Sequence, residues 1–427
     1  MSSSVSTPRV FHIAICGHMP KDGYSGGRYY TWVLGEALAA AGHDVTFWTN
    51  ARPVFADDFV DQSRCGTIRV ELSQDFSQPP RGPFDLVVIV PDQSKSRILT
   101  HAALLLARRD VARIALVNFE SPNWYNAHSP EPRDPALWEL AVESGRSADL
   151  VLSLAAIGSD YARDFYVNVP PTALFRHCHP AINSVAADRI GEVPKLDQIV
   201  CLTRFVAGDR HKGAGELVHA IGPAMRGMTL LIVVGRPVVD ETIMAELTQR
   251  AESVGAHIEL VHGLDDAEKF RRISQSRAML FLSYFEGFGY PPVEAQYCGV
   301  PCVAYDLPVL REVSGDALIY VTPGDHATLP GAVAEALAWP PERRAALRER
   351  IAPVARLGAF ASRIDAIARE VVALPGPPGV MLASKGTVTS WKRSLRPALD
   401  ASRPGLLRKV KSTLKAILRG PVKHRTV

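Results

Sequence analysis

The chain has 427 residues, of which 47% are hydrophobic and 22% charged, and a formal net charge of +4. At about 100–200 residues per domain this predicts two or three globular domains and excludes a fibrous or disordered chain. No apolar run reaches the roughly 18 residues of a membrane-spanning helix, no signal peptide is expected in the Ser-rich start, and the six cysteines form no CxxC pair, so a protein with reduced, buried thiols and without disulfides or structural zinc is expected in the cytoplasm.

In chain order, an apolar strand-like run at 10–16 leads through a Gly-rich loop (17–27) into a helix-like segment ended by Gly42. Further strands are expected at 45–49, 86–90, 114–117, 150–154 and 173–175, with helical patterns around 97–109, 135–147 and 157–166. A second series has strands at 199–203, 229–234, 258–261, 278–282, 301–305 and 318–321, again separated by helical patterns. Such alternation predicts parallel sheets covered by helices on both faces, and two series of similar length predict two such domains joined by the polar stretch 183–197. Helix-like sequence at 333–339, 342–351 and 357–374 closes the body before the breaker Pro375-Gly-Pro-Pro-Gly379.

The densest chemical signal is the segment 283–301, SYFEGFGYPPVEAQYCGVP. A strand leads to Glu286, then Gly287-Phe288-Gly289, then two prolines that open a helix with Glu294 expected in its first turn. The glycines permit close approach of a ligand to the backbone, the helix N-terminus offers N–H groups to an anion, and a carboxylate there can accept the hydroxyls of a ribose diol. With Pro291-Pro292 lacking N–H groups, any contact from the helix start falls to Val293 and Glu294. The same pattern also suits a capped helix after a tight turn. The second signal pairs Arg204, at the end of an expected strand, with Lys212-Gly213 near the next helix. Two cations at the carboxyl edge of an open sheet suit a diphosphate, and equally a solvated face. In the loop 17–27, Gly26-Gly27 at a helix start favours anion approach, but the loop is neither GxGxxG nor GxxxxGK[ST].

Taken together, Arg204…Lys212-Gly213, the run EGFG-x-P-x-x-E-A-x-x-x-G-x-P from Glu286 to Pro301, and the downstream Gly315-Asp316-Ala317 and Pro323-Gly-Asp325 resemble the retaining glycosyltransferases of family 4 (glycosyltransferase group 1). The resemblance covers about residues 10–374 and is looser in the first half, at Gly26-Gly27 and Gly42-His43. It implies two Rossmann-like doubly wound parallel-sheet α/β domains facing a central cleft (the GT-B fold), plus a basic helical C-terminal tail. The implied division is an acceptor-side domain at 1–185, onto which a helix at 357–374 packs back, a nucleotide-sugar-binding domain at 186–356, and the tail at 376–427. Arg204 and Lys212 would hold the donor diphosphate, Glu294 the ribose, and Glu286 with Gly287, Phe288 and Gly289 the donor sugar. Gly26 and Gly27 would face the diphosphate from the other domain. The family often places a His after an N-domain strand near the reacting sugar; here Val117-Asn118-Phe-Glu120 stands instead, and Glu120 or Asn118 is the acceptor-side candidate. The implied reaction moves a hexose from a nucleotide-diphosphate sugar to a hydroxyl of a glycan or lipid-linked acceptor, with retention, without a metal or other cofactor. A nucleotide-sugar epimerase, a phosphorylase or a non-catalytic sugar-nucleotide-binding protein would share the architecture.

The charge is unevenly spread: residues 376–427 hold twelve Lys/Arg against the single acid Asp400, while the other 375 residues have 36 basic and 43 acidic side chains. On a helical wheel the segment 404–420 gathers Leu406, Leu407, Val410, Leu414, Ile417 and Leu418 on one face and Arg408, Lys409, Lys411, Lys415 and Arg419 on the other. That pattern predicts an interfacial anchor on an anionic membrane surface, at the inner face of the cytoplasmic membrane, and no nucleic-acid partner. A helix docked on protein would show the same pattern.

Overall fold

The computed structural model describes residues 8–19, 25–59, 66–91, 97–236 and 239–401. Its strands are β1 (His12–Gly17), β2 (Asp44–Thr49), β3 (Ile68–Leu72), β4 (Leu86–Val90), β5 (Arg113–Asn118), β6 (Leu150–Ser153), β7 (Leu174–His177), β8 (Gln198–Thr203), β9 (Thr229–Val234), β10 (His257–His262), β11 (Ala278–Phe281), β12 (Cys302–Tyr305) and β13 (Ile319–Val321). They form a seven-stranded sheet in the order β3-β2-β1-β4-β5-β6-β7 and a six-stranded sheet in the order β10-β9-β8-β11-β12-β13. All pairings are parallel; Ile13, for example, stands beside Val45 of β2 and Leu86 of β4. Runs such as Leu86–Val90, buried at every position, can form only where helices cover both faces. Each sheet reverses its winding once, between β1 and β4 and between β8 and β11. Ligands of open α/β sheets bind outside the carboxyl ends of the strands at such a switch point.

Three departures from the sequence expectations have plain physical causes. Strand β3 was not expected, because an edge strand reading Ile-Arg-Val-Glu-Leu is half-exposed and lacks an apolar run. The polar stretch taken as a linker contains the helix Ser184–Ile190, started by Asn183, whose side chain accepts from the Ala186 N–H. The tail is not free from Gly376 onward. Arg113 donates to the carbonyls of Leu374 and Gly376, and the Gly379 N–H donates to Asp149 Oδ1 at 2.9 Å. The helix Lys385–Ala401 then packs on the helix Arg97–Asp110, burying Trp391 completely, with its Nε1–H donating to Glu143 at 3.0 Å. The segment 404–420 lies outside the described residues.

The helix Leu357–Val372 returns to the seven-stranded half of the molecule. Its Asp365 meets His43 Nε2 at 2.8 Å, Phe360 packs near the ring of Tyr30, and Glu370 pairs with Arg176. Four of the described cysteines are buried and Cys298 is partly buried, all as free thiols. Among the described residues no helix is long and apolar enough to cross a membrane.

Candidate functional site

The carboxyl ends of the two sheets face each other across a cleft of about 820 Å³. One wall comes from the ends of β8, β9, β10 and β11, the other from the helix Gly26–Ala40 and the segments after β4, β5 and β6.

At the β8/β11 switch point Arg204 directly follows β8, and Lys212 ends a 3-10 turn, Ala207–Lys212. That turn is pinned to the segment after β11: the His211 carbonyl accepts from Ser283 Oγ at 3.0 Å and from the Tyr284 N–H at 2.8 Å. Lys212 Nζ then reaches Glu286 Oε1 at 2.7 Å, with both side chains more than four-fifths buried. Arg204 meets Asp209 at 3.2 Å and keeps almost half its side chain exposed. His211 between them is held neutral: burial, then the charges of Lys212, Arg204 and Arg133, push its pKa down to about 2. The positive charge beside it is therefore carried by Arg204, Lys212 and Arg133, and Arg28, Arg236 and Lys269 line the cleft as well.

The segment after Glu286 is shaped by two glycines. A Cβ on Gly287 would lie 2.6 Å from the Phe119 carbonyl oxygen of the opposite wall, so only glycine lets the two halves approach this closely here. Gly289 has φ +90°, a left-handed conformation that a side chain would strain, and it caps the helix Tyr290–Tyr297. Because this helix begins at Tyr290, Glu294 is its fifth residue rather than a member of its first turn. The expectation for Val293 and Glu294 as backbone donors is corrected for the same reason. Their N–H groups fall within the helical ladder, and Val293 is fully buried and does not line the cleft.

Glu294 itself lines the cleft at 2% exposure. Its Oε1 accepts from Lys269 Nζ at 2.7 Å, and the same ammonium meets Asp266 Oδ1 at 2.7 Å. Burial raises the Glu294 pKa, and Lys269 opposes that rise. Asp265 and Asp266 are the N-cap and first residue of the helix Asp266–Gln275. Asp58 faces them from the 3-10 turn Ala56–Phe59, and burial with the charges of Asp266 and Asp265 raises its pKa to about 6.

On the opposite wall Gly26 and Gly27 open the helix Gly26–Ala40, N-capped by Ser25, and both line the cleft. Glu120 also lines it and meets Arg133 at 3.1 Å; Arg133 in turn stands over the ring of Tyr125 and 4.0 Å from Asp209, so Glu120, Arg133, Asp209 and Arg204 form one chain of charges across the cleft. The Asn118 amide is buried and engaged with Ser153 Oγ, the Gly158 carbonyl and Tyr166 OH. Asn118 and Glu120 both line the cleft, and Glu120 is the more exposed of the two acceptor-side candidates. The same wall is largely apolar, through Leu137, Trp138, Leu140, Leu154 and Tyr166.

The cleft thus brings together Arg204, Lys212, Glu286, Gly287, Phe288, Gly289, Glu294, Gly26, Gly27 and Glu120. Sequence reading missed Arg133, Asp209 and Lys269, because each meets its partner through the fold. The only local signal was the i, i+3 spacing of Asp266 and Lys269. Among the described residues no group of three or more His, Cys, Asp or Glu side chains is placed to hold a metal ion.

The resemblance read from the sequence is met by comparison with known proteins. Residues 188–352 match the family of glycosyl transferases group 1. The chain is 37% identical over 60 residues to the O-antigen chain mannosyltransferase RfbU of Salmonella typhimurium, covering 14% of this chain and 17% of that protein. It is 32% identical over 95 residues to O-antigen chain mannosyltransferase B of Escherichia coli, covering 22% and 25%. These matches therefore span a quarter or less of the relatives' lengths. The fold is shared much more widely. Sucrose-phosphate synthase from Thermosynechococcus elongatus superposes with a TM-score of 0.63 at 21% identity, over 85% of this chain and 99% of the other. HepE of Anabaena, in complex with UDP and glucose, gives 0.59 at 15% identity over 84% and 100%. The architecture is that of the GT-B glycosyltransferases.

Proposed function

We propose that this chain, with its group 1 glycosyl transferase segment at 188–352, is a retaining glycosyltransferase of family 4 that moves a hexose from a nucleotide-diphosphate sugar to a hydroxyl. The observation that carries this reading is the convergence of Arg204, Lys212 and Glu286 at the β8/β11 switch point, facing the N-terminus of the Gly26–Ala40 helix across the cleft. The segment 186–356 is the donor side and 1–185 the acceptor side.

In the proposed mechanism the diphosphate lies between Arg204, Lys212 and the N–H groups at Gly26-Gly27, displacing Glu286 from Lys212. Glu286 and the Gly287–Gly289 backbone then turn to the sugar, and Glu294 accepts the ribose hydroxyls. The bond from the anomeric carbon to the diphosphate oxygen breaks while the acceptor oxygen bonds on the same face, and the acceptor proton passes to the leaving phosphate oxygen. Cations positioned where charge develops carry the catalysis. Glu286 and Glu294 are committed to sugar and ribose, so the paired-carboxylate double displacement of retaining glycosidases is not used.

Two of the curated relatives are O-antigen mannosyltransferases, which supports a glycan or lipid-linked acceptor and a place in polysaccharide biosynthesis. The apolar wall near Glu120 supports an acceptor with an apolar part. A thermal-shift screen with UDP, GDP and ADP tests the donor site: one of them should stabilise the protein, by about 2.7 kcal/mol at 100 times its Kd, and EDTA should leave that shift intact. No shift with any nucleoside diphosphate contradicts the proposal.

The tail supports a peripheral, cytoplasmic-face location. The docked helix Lys385–Ala401 exposes Lys385, Lys392, Arg393 and Arg396, with no acid between 385 and 397, and leads into the segment 404–420. Binding to vesicles containing anionic lipid should weaken with salt, since each basic residue near the surface contributes about 1 kcal/mol. It should disappear on truncation after Ala401, which spares the docked helix. Equal binding by the truncated chain would place the anchor elsewhere.

A further inference from the structure

Lys269 is a buried ammonium between two buried carboxylates, and the function proposed above assigns it no role. It is 7% exposed, and Asp266 and Glu294 are each 2% exposed. It bonds Asp266 Oδ1 and Glu294 Oε1, both at 2.7 Å. The remaining Asp266 oxygen, Oδ2, accepts from Tyr29 OH at 3.0 Å and from the Asn183 amide at 2.9 Å. Tyr29 lies on the Gly26–Ala40 helix of the opposite wall, and Asn183 caps the helix in the connection between the sheets.

A buried ion pair is in general a poor source of stability: apolar residues of similar size often serve as well or better. What distinguishes this one is that a partner carboxylate lines the cleft. We propose that Lys269 is a positioning residue for the donor, fixing the Glu294 carboxylate for the ribose hydroxyls and, through Asp266 and Tyr29, tying that alignment to contact between the two halves of the molecule. The proposal rests on the reading of the cleft as a nucleotide-sugar site. Lys269 engages Glu294 Oε1, which leaves Oε2 for a hydroxyl of the ligand.

The charge logic gives a signature that a packing role lacks. Burial raises the Glu294 pKa, and Lys269 is the group that lowers it. The other groups facing this pair are Asp266 and Asp265 on the lysine's own helix and cap, Cys298 at the end of the glutamate's helix, Tyr29 from the opposite wall, and Asp58. All but Cys298 and Tyr29 are acids, so nothing else in this set replaces the lost positive charge. Without Lys269 the carboxyl takes up a proton at higher pH, and the acceptor for the ribose is lost as pH falls. Lys269 also lowers the Asp58 pKa, so its loss moves that titration as well, and Asp58→Asn introduced into wild type and variant alike isolates the contribution of Glu294.

The test is calorimetric binding of UDP, GDP and ADP to the full chain between pH 6 and 8.5. For the nucleotide that wild type binds best, Lys269→Met should weaken binding about tenfold or more at pH 7, with the gap widening toward pH 6. Lys269→Arg should stay within a few-fold of wild type. Because Lys269→Met leaves two buried acids unpaired, Lys269→Met/Asp266→Asn serves as the second variant, with the same expected pH dependence if the single variant does not fold. A folded variant with wild-type affinity at all pH values overturns the proposal. So does a loss that is the same at every pH, because it marks a packing role. Wild type that binds none of the three nucleotides overturns the donor-site reading, and this role with it, and is distinguishable because no variant is needed to see it.

Discussion

Arg204→Ala and Lys212→Ala should each lower kcat by about tenfold or more, corresponding to about 1.4 kcal/mol or more lost from the transition state. Both cations sit at the sheet edge where the leaving diphosphate is proposed to gather charge. Lys212 has the larger expected effect. It is the more buried of the two, at 18% side-chain exposure against 45%, and its removal leaves Glu286 without its 2.7 Å partner beside an incoming anion. The double variant should lose less than the product of the two single effects, because the cations act on one group. Steady-state kinetics on the best donor check this. Variants that change only the donor KM would mean that these cations bind ground state and transition state alike.

Glu294→Ala and Glu286→Ala should separate binding from turnover. Removing Glu294 deletes charge-assisted hydrogen bonds worth roughly 1.5–3 kcal/mol each, so the donor KM should rise roughly ten- to hundredfold with a smaller change in kcat. Glu286 is proposed to leave Lys212 for the donor sugar, so its loss should appear mainly in kcat. Wild-type kinetics for both variants across a donor panel would contradict the site assignment.

The strands of both sheets were legible because buried parallel strands are written as short apolar runs: 86–90 and 229–234 were read with the bounds that Leu86–Val90 and Thr229–Val234 take in the structure. The elements that escaped notice carry no such run. Strand β3 alternates polar and apolar residues at an edge, and the helix Ser184–Ile190 is too short to show a period. The docking of Trp391 could not be read locally, since its partners Glu143 and the Arg97–Asp110 helix lie almost 250 residues or more away. Within the site, the residues lying in one motif, Glu286 to Glu294, were legible as a unit. Arg133, Asp209 and Lys269 were not, because Arg133–Asp209 and Lys269–Glu294 join residues far apart in the sequence whose spacing marks no motif. Val293 was misassigned because the helix starts at Tyr290, one turn before the N–H groups of Val293 and Glu294.

The central claim is transfer of a hexose from a nucleotide-diphosphate sugar. The most direct measurement incubates the full chain with anomerically labelled UDP-, GDP- and ADP-hexoses, with and without a glycan or lipid-linked acceptor, in EDTA, and follows the sugar by NMR. The proposed function predicts release of the nucleoside diphosphate and a product, or slow hydrolysis without acceptor, that keeps the anomeric configuration of the donor. Inversion at C2 without transfer, a glycosidic product of opposite anomeric configuration, or binding of the donor without turnover would contradict it.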